Sequence, residues 1–367
     1  MTIDIAVDDT KKETDPDLLL VVDNLSVSFP TDDGVVQAVR GVSYTVRSGE
    51  SMGIVGESGS GKSVSSMAVM GLLPKNARIT GSVKFRGREL IGLNEKEYAQ
   101  VRGDRIAMIF QDPLTSLNPV YSIGFQIAEA VLAHNDVSKQ AALERAVELL
   151  GIVGIPFPEQ RINNYPHELS GGMRQRVVIA IGMANNPDVI IADEPTTALD
   201  VTVQAQVLEA LEAARAETGA ALILITHDLG VIAGHAERIS VMYAGKLVET
   251  GTTEDVFYRP RMPYTLGLLG SLPRLDESEH ERLTPIKGSP PSLLNLPPGC
   301  PFTPRCPLAE DICDREEPEL LDVEGVGHAA ACHFRNRVAE VEAADLFGTD
   351  AGDTIAGDFE GTEVGSS

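Results

Sequence analysis

The chain has 367 residues, 43% of them hydrophobic, so it can form one large domain with an accessory region, or two domains. Its 54 Asp and Glu residues against 30 Lys and Arg residues give a net charge of −24. This balance argues against general binding to nucleic acids or anionic lipids, because both require a basic surface. No run approaches the roughly 18 apolar residues of a membrane span, and the start of the chain has no secretory segment, so a cytoplasmic protein is expected.

The first half of the chain changes its hydrophobic periodicity in three steps. Residues 1–16 are acidic and polar and are predicted to be disordered. Alternating apolar runs between residues 18 and 50 predict antiparallel strands, and residues 51–110 begin and end with further strand-like runs. Helical periodicity then predicts a helical subdomain at about residues 112–170.

The second half alternates helical and strand patterns over residues 171–257, which is typical of a parallel sheet. The predicted fold class is therefore α/β. Proline and cysteine mark residues 259–335 as an extension with a different character. Residues 336–367 are acidic and poor in large apolar side chains, so they are predicted to be disordered.

A glycine-rich segment lies between a strand-like run and a helix-like run. It fits the pattern G-x-x-x-x-G-K-S/T and consists of Gly56, Glu57, Ser58, Gly59, Ser60, Gly61, Lys62 and Ser63. Its glycines let backbone N–H groups point at phosphates, and the following helix N-terminus adds partial positive charge. We expect Lys62 to reach the β- and γ-phosphates of ATP and Ser63 to bind Mg²⁺. The alternative is a Gly/Ser-rich turn without a ligand.

An acidic pair follows the apolar run of residues 189–192. Asp193 ends this buried-strand pattern, and Glu194 comes directly after it. A carboxylate at the carboxyl end of a parallel strand lies beside the phosphate loop, so Asp193 is predicted to bind Mg²⁺ through water. Glu194 is the candidate general base that activates the attacking water. The alternative is a surface acidic pair before Pro195.

The segment Leu169-Ser170-Gly171-Gly172-Met173-Arg174-Gln175-Arg176 resembles the signature motif of ABC ATPases. The resemblance implies that Ser170, Gly171 and Gly172 contact the γ-phosphate held by a second cassette in a head-to-tail dimer. A hydroxyl group and glycine N–H groups at a helix start form a suitable anion site. The hydrolytic site would then be shared between two cassettes.

The same resemblance assigns roles to four further positions. Gln111 matches the glutamine that touches Mg²⁺ and reports the nucleotide state to a membrane partner, and His227 matches the switch histidine that bonds the γ-phosphate. Asp200, in Ala198-Leu199-Asp200, matches the loop between cassettes. Phe29 falls where the family has an aromatic ring that stacks on adenine. For Phe29, a core position on an alternating strand is the competing interpretation.

The family resemblance also implies an architecture. It predicts an ABC ATPase domain over residues 17–258, with a RecA-like parallel sheet, an antiparallel β subdomain and a helical subdomain. The extension over residues 259–335 would follow this domain.

Four cysteines are confined to the extension: Cys300, Cys306, Cys313 and Cys332. Zinc ribbons normally contain C-x2-C pairs, which this spacing lacks, and disulfides are disfavoured in a reducing cytoplasm. Thiolates at irregular spacing can hold an iron–sulfur cluster. An iron–sulfur cluster, a zinc site in which His333 competes with Cys332, and a metal-free group of thiols all remain open.

The proline-rich segment around Cys300 and Cys306 resembles the C-terminal extension of peptide- and nickel-importer ATPases. Some members of that family carry a 4Fe–4S cluster, and the resemblance gives Cys300, Cys306, Cys313 and Cys332 as its ligands. It further implies a "D"-type ATPase that works with two transmembrane permeases, a second related ATPase and an extracytoplasmic peptide-binding protein. Such a subunit lies at the cytoplasmic face of the membrane and powers the import of di- or oligopeptides. No nucleic-acid partner is expected.

Two other functions compete with peptide import. A soluble ABC protein that acts on ribosomes or DNA would usually have two cassettes or a coiled-coil insertion and a basic surface, none of which this sequence shows. In the second alternative, the extension is an iron–sulfur redox sensor that controls the ATPase. This function could exist together with peptide import. The substrate itself, a peptide or nickel, is not decided by the ATPase motifs.

Overall fold

The computed structural model describes residues 15, 17–197, 199–272, 285–323 and 327–347. Its strands form two sheets, of which the larger has eight strands among the described residues. In chain order the strands are β1 (Leu18–Thr31), β2 (Gly34–Arg47), β3 (Ser51–Val55), β4 (Arg78–Phe85), β5 (Arg88–Glu89), β6 (Ile106–Ile109), β7 (Val189–Asp193), β8 (Ala221–Thr226), β9 (Arg238–Tyr243), β10 (Lys246–Thr252), β11 (Leu321–Asp322) and β12 (Ala329–Ala330).

The larger sheet has the order β11-β12-β10-β9-β3-β8-β7-β6 and is parallel from β9 to β6. Every residue of β3, β7 and β8 is buried, which explains why these strands are continuous apolar runs rather than alternating ones. Because parallel strands end at the same edge of a sheet, the residues after β3, β6, β7 and β8 are brought together there.

The smaller sheet is antiparallel with the order β2-β1-β4-β5. The separate runs expected between residues 18 and 50 are two long strands, which pair from Leu18 with Arg47 to Thr31 with Gly34. Register shifts interrupt this pairing, so bulges account for the breaks in the alternating pattern. The inward side chains of Leu20, Leu25 and Val27 are buried in a core shared with the larger sheet.

The helices lie mainly between β6 and β7 and after β7. They are α1 (Lys62–Val69), α2 (Glu95–Tyr98), α3 (Pro113–Ser116), α4 (Ile123–Leu132), α5 (Lys139–Ile152), α6 (Pro158–Arg161), α7 (Gly171–Gly182), α8 (Val201–Thr218), α9 (Leu229–Ile232), α10 (Thr253–Tyr258), α11 (Pro263–Gly270), α12 (Asp311–Arg315), α13 (Arg335–Val338) and α14 (Ala343–Phe347). Ser122 and Ser138 cap α4 and α5 by accepting hydrogen bonds from backbone N–H groups three residues later. The helices α3 to α6 lie where helical periodicity predicts a helical subdomain.

The extension continues the larger sheet rather than forming a separate unit. Strand β12 pairs with β10, so that Glu249 lies opposite Ala330 and Thr250 opposite Ala329. The Glu249 side chain is fully buried and accepts hydrogen bonds from the backbone N–H groups of Arg261 and Met262, and it also pairs with His328 at 2.9 Å. These contacts join the extension to the core.

The predicted disorder of residues 336–367 is wrong at its start. Helices α13 and α14 lie at residues 335–347, and Val338 and Phe347 are buried against the apolar helix α11. Three buried apolar side chains, with Ala343 as the third, anchor an acidic segment whose composition alone predicts no packing. Residues 348–367 and most of residues 1–16 lie outside the described residues.

Candidate nucleotide-binding site

The predicted site residues meet at the carboxyl edge of the parallel strands. The phosphate loop, residues 56–63, follows β3, Gln111 comes two residues after β6, and His227 follows β8. Asp193 ends β7 and Glu194 is the next residue. Four neighbouring strands therefore deliver the loop, the acidic pair, the glutamine and the histidine to one place.

The phosphate loop requires glycine at its close approach to β2. Gly61 has φ +104°, and a Cβ atom there would lie 2.3 Å from the carbonyl oxygen of Ala38. Any larger residue would therefore clash with backbone as well as strain the loop. Lys62 begins α1, and its ammonium group donates to the carbonyl oxygens of Gly56 at 2.6 Å and Glu57 at 3.0 Å. This places the cation at the mouth of the loop.

Two of the three residues predicted to bind Mg²⁺ are in contact with each other. The Ser63 hydroxyl group donates to Asp193 Oδ1 at 3.0 Å. Burial raises the pKa of Asp193, and the hydrogen bond from Ser63 opposes this change. Burial likewise lowers the pKa of Lys62, while the charges of Glu194 and Asp193 oppose the decrease. A hydroxyl and a carboxylate oxygen are ligands that Mg²⁺ prefers, so this pair fits the metal.

Glu194 is the point on which the other polar groups converge. Its Oε2 accepts a hydrogen bond from Thr197 Oγ1 at 2.9 Å and lies 3.3 Å from His227 Nδ1 and 3.5 Å from Gln111 Nε2. Its Oε1 is 3.7 Å from Lys62 Nζ. The backbone of Glu194 has φ +47°, a conformation uncommon outside glycine that is found at functional sites. The carboxylate is thus held next to the cation of the phosphate loop.

The signature residues lie away from this group. Ser170 caps α7, with its hydroxyl accepting from Met173 N at 3.3 Å, and both Ser170 and Gly171 are exposed. Gly172 is buried and lies against Val203, so close that an added Cβ atom would be 2.3 Å from that side chain. In the part of the chain that the structure describes, no hydrogen bond or ion pair joins residues 170–172 to residues 56–63. A role for these residues at the phosphate of a second cassette stays a prediction.

Asp200 and Phe29 have local roles in this chain. Asp200 caps α8 by accepting a hydrogen bond from Val203 N at 3.0 Å, and Ala198 of the same motif lies outside the described residues. Phe29 is half-buried in β1 and packs against the core beneath the antiparallel sheet. The stacking of Phe29 on adenine stays a prediction. Its contacts in this chain are those of the competing interpretation, a core position on a strand.

The sequence pattern does not reveal the contacts between the extension and the phosphate loop. Arg305 donates two hydrogen bonds to the Glu57 carboxylate, at 2.6 and 2.8 Å, and the Tyr264 hydroxyl accepts one from Glu57 N at 2.8 Å. Thr197, which holds Glu194, is also outside the recognised motifs. No local signal could have paired residues that are more than 200 positions apart.

The four cysteines line one small cavity in the extension. The remaining wall is mostly apolar, with Met262 and Phe302 among its residues, and it also includes Thr303 and His333. Cys313 is buried and the other three thiols are half-buried. Burial raises the pKa of Cys306 to about 12 and that of Cys332 to about 11, with the neighbouring thiols adding to the shift. Among the described residues, no group of three or more His, Cys, Asp or Glu side chains is arranged to hold a single metal ion.

Two family models match the chain. The first, described as ABC transporter, covers residues 39–197, and therefore includes the phosphate loop, the signature motif and the acidic pair. The second, described as oligopeptide/dipeptide transporter, C-terminal region, covers residues 248–313 and three of the four cysteines. No helix in the described ranges combines the length and hydropathy of a membrane span.

Named relatives extend the likeness over most of the chain. It is 57% identical over 330 residues to an oligopeptide transport ATP-binding protein of Mycobacterium bovis, covering 90% of this chain but only 54% of that protein. It is 52% identical to a dipeptide transport ATP-binding protein of Bacillus subtilis, covering 88% of this chain and 96% of that protein.

A solved structure supports the fold independently. The dimeric ATP-binding cassette MJ0796, in a post-hydrolysis state with ADP and Pi, matches with a TM-score of 0.57 and 27% identity, covering 64% of this chain and 99% of that one. The fold and the two-part match agree with the sequence-based expectation. The chain belongs to the ABC transporter family, among its oligopeptide and dipeptide transport ATP-binding proteins.

Proposed function

We propose that this chain is the ATP-hydrolysing subunit of an importer of di- or oligopeptides. The observation that carries the proposal is the convergence of Lys62, Ser63, Asp193 and Glu194 at one edge of the parallel sheet. It supplies a cation for the phosphates, two oxygen ligands for a metal and a base for water. The names of the relatives support peptide transport as the process that this chemistry drives.

The chemistry follows from the positions of these side chains. Lys62 exchanges two carbonyl acceptors for the oxygens of the β- and γ-phosphates when ATP binds. Ser63, Asp193 and Gln111 are the residues that would hold Mg²⁺, which neutralises charge on the phosphates. Glu194 accepts the proton of the attacking water, while Thr197 and His227 fix the orientation of its carboxylate. His227, exposed at 54%, is also free to meet the γ-phosphate.

Two cassettes complete each site in this proposal. Ser170, Gly171 and Gly172 of one chain contact the γ-phosphate bound to residues 56–63 of the other, and Asp200 lies between the two chains. The exposure of Ser170 and Gly171 supports this arrangement, as does the dimeric state of the related solved cassette. ATP binding closes the head-to-tail dimer and hydrolysis reopens it. The second cassette would be a related ATPase subunit.

The remaining partners follow from the transport role. Two transmembrane permeases would hold the cassette pair at the cytoplasmic face of the membrane, and an extracytoplasmic binding protein would deliver the peptide. The net charge of −24 supports a protein partner rather than a nucleic acid.

We further propose that Cys300, Cys306, Cys313 and Cys332 hold a 4Fe–4S cluster. The observation that supports this proposal is that all four thiols line one cavity of the extension, as the ligands of one cluster must. When bound, the cluster would supply cross-links between the segments that carry the thiols.

Reconstitution tests the transport proposal. The chain, its second ATPase, the two permeases and the binding protein are assembled in liposomes, and peptide uptake and ATP hydrolysis are measured together. We expect hydrolysis to rise when peptide-loaded binding protein is added and uptake to stop when ATP is omitted. Uptake that continues without ATP, or a rate of ATP hydrolysis that is the same with and without the permeases, would contradict the proposal.

A further inference from the structure

Arg305 connects the cysteine-bearing extension to the phosphate loop. Its guanidinium group forms a two-pronged pair with Glu57, with Nη1–Oε2 and Nη2–Oε1 distances of 2.6 and 2.8 Å. The Arg305 side chain is only 4% exposed. Its remaining donors reach the Tyr243 hydroxyl at 3.3 Å and the Lys287 carbonyl oxygen at 3.1 Å, so the group is held in one orientation.

The backbone of Glu57 is anchored on the same side. Its N–H group donates to the hydroxyl of Tyr264, a fully buried residue of α11. Tyr264 packs against Tyr243 and Phe302, with ring centroids 4.5 and 5.5 Å apart. The rings of Tyr243, Tyr264 and Phe302 thus support the phosphate loop at Glu57. The carbonyl oxygen of the same residue also accepts a hydrogen bond from Lys62.

The charge of Glu57 explains why this position needs a partner. A carboxylate within a loop that binds a triphosphate repels the incoming anion, and the repulsion is strong where water is partly excluded. Arg305 neutralises this carboxylate and holds it in a two-pronged pair with the extension. Without Arg305, the Glu57 carboxylate would stand unpaired beside the phosphates.

We propose that Arg305 is a positioning residue for ATP binding, which acts by neutralising Glu57 and fixing the phosphate loop in its binding conformation. The proposal rests on the assignment of residues 56–63 as the phosphate site. It makes the extension part of the nucleotide site rather than an accessory to it. Because Arg305 lies between Cys300 and Cys306, the folding of the cysteine-lined cavity bears directly on the affinity for ATP.

A titration with ATP tests the role. The full chain carrying Glu194→Gln, which keeps ATP unhydrolysed, is compared with the same chain carrying Arg305→Gln. We expect the dissociation constant to rise about tenfold, as for the loss of one strong charge-assisted pair. Adding Glu57→Gln should restore the affinity to within about threefold, because it removes the charge that Arg305 neutralises. Arg305→Lys keeps the charge but loses the two-pronged geometry, so its dissociation constant should lie between those of the parent and Arg305→Gln.

Glu317→Gln is the matched control. Glu317 joins the extension to the core through Arg40 at 2.7 Å and Lys246 at 2.7 Å, and within the described ranges no hydrogen bond or ion pair links it to the phosphate loop. It should lower the unfolding temperature without changing the dissociation constant for ATP. An equal loss of affinity in Glu317→Gln and Arg305→Gln would mean that docking of the extension alone matters, and would overturn the positioning role.

The double variant gives the second decisive outcome. If Arg305→Gln weakens ATP binding and Glu57→Gln does not restore it, charge neutralisation is wrong. If Arg305→Gln binds ATP like the parent, the positioning role is wrong, whereas the phosphate site still stands provided that Lys62→Ala lowers the affinity. If Lys62→Ala also binds normally, the assignment of the phosphate loop itself fails. Should Arg305→Gln not fold, Arg305→Lys and Glu57→Gln decide between these outcomes.

Discussion

Replacing Glu194 by glutamine removes the proposed base while changing few contacts. The amide oxygen can still accept from Thr197, which donates at 2.9 Å to the carboxylate. The amide cannot take a proton from water at neutral pH, and it loses the attraction to Lys62, whose Nζ lies 3.7 Å from Oε1. We therefore expect a defect in turnover rather than in folding or ATP binding.

The size of the defect follows from the role. Loss of a positioned general base lowers a rate by about 10²- to 10⁴-fold, or about 2.7–5.5 kcal/mol of barrier. The effect on ATP affinity should be small: the loss of a carboxylate near the phosphates and the loss of its contact with Lys62 both favour ATP slightly. We expect the dissociation constant for ATP to remain within about threefold of the parent value, since neither change involves more than one screened charge.

The assay compares steady-state ATP hydrolysis and ATP titration in the assembled transporter. Glu237→Gln is the matched control, since Glu237 is 67% exposed and precedes β9, outside the group of residues around Glu194. It should change turnover by less than about twofold, as expected for a surface charge. Turnover of Glu194→Gln within about tenfold of the parent rate would refute the assignment of the base.

Three further predictions use other parts of the structure. Lys62→Ala removes the ammonium group at the mouth of the phosphate loop, and titration should show ATP affinity at least about tenfold lower. The chain diluted to a monomer, as judged by light scattering, should hydrolyse ATP poorly, and full activity in the monomer would contradict a shared site. Glu249→Ala leaves two backbone N–H groups and His328 without their buried partner, so denaturant unfolding should show a loss of about 3–5 kcal/mol. Glu254→Ala, at a side chain that is 76% exposed, should cost less than about 0.5 kcal/mol.

The central site could be predicted because its residues follow buried strands. The apolar runs before Gly56, Asp193 and His227 identify parallel strands, and the ends of such strands share an edge. Their meeting therefore follows from strand order and direction alone. The same logic places Gln111, which lies 3.5 Å from Glu194 although 83 positions separate them. Thr197 belongs to none of the sequence motifs, so its hydrogen bond to Glu194 could not be predicted from the sequence.

The extension could be predicted only in outline. Its prolines and cysteines set it apart in composition, yet its two-residue strand β12 joins the central sheet. So short a strand has no periodicity to detect. The pair Arg305–Glu57 depends on that docking and joins residues 248 positions apart. The helices at residues 335–347 cannot be predicted from composition for a related reason: a few buried side chains, such as Val338, outweigh the acidic residues around them.

The metal content of the purified chain tests whether the four cysteines hold a cluster. The extension packs on the core of the larger sheet, and a metal centre can add cross-links between its segments. Protein purified without oxygen should therefore be brown and contain about four irons per chain. Cys306→Ser should lose the iron and lower the unfolding temperature of the extension.

His333→Ala separates the cluster from zinc. His333 lines the same cavity and follows Cys332 in the sequence, so it is the ligand that would replace Cys332 at a zinc site. In this structure its Nε2 forms a hydrogen bond with the Glu316 carbonyl oxygen at 2.9 Å. A cluster held by four thiolates keeps its iron in His333→Ala, because its ligands are unchanged. Colourless anaerobic protein with one zinc per chain that His333→Ala releases, or with no metal at all, would refute the cluster. The ATPase assignment would still stand, because it depends on residues at the carboxyl edge of the parallel sheet.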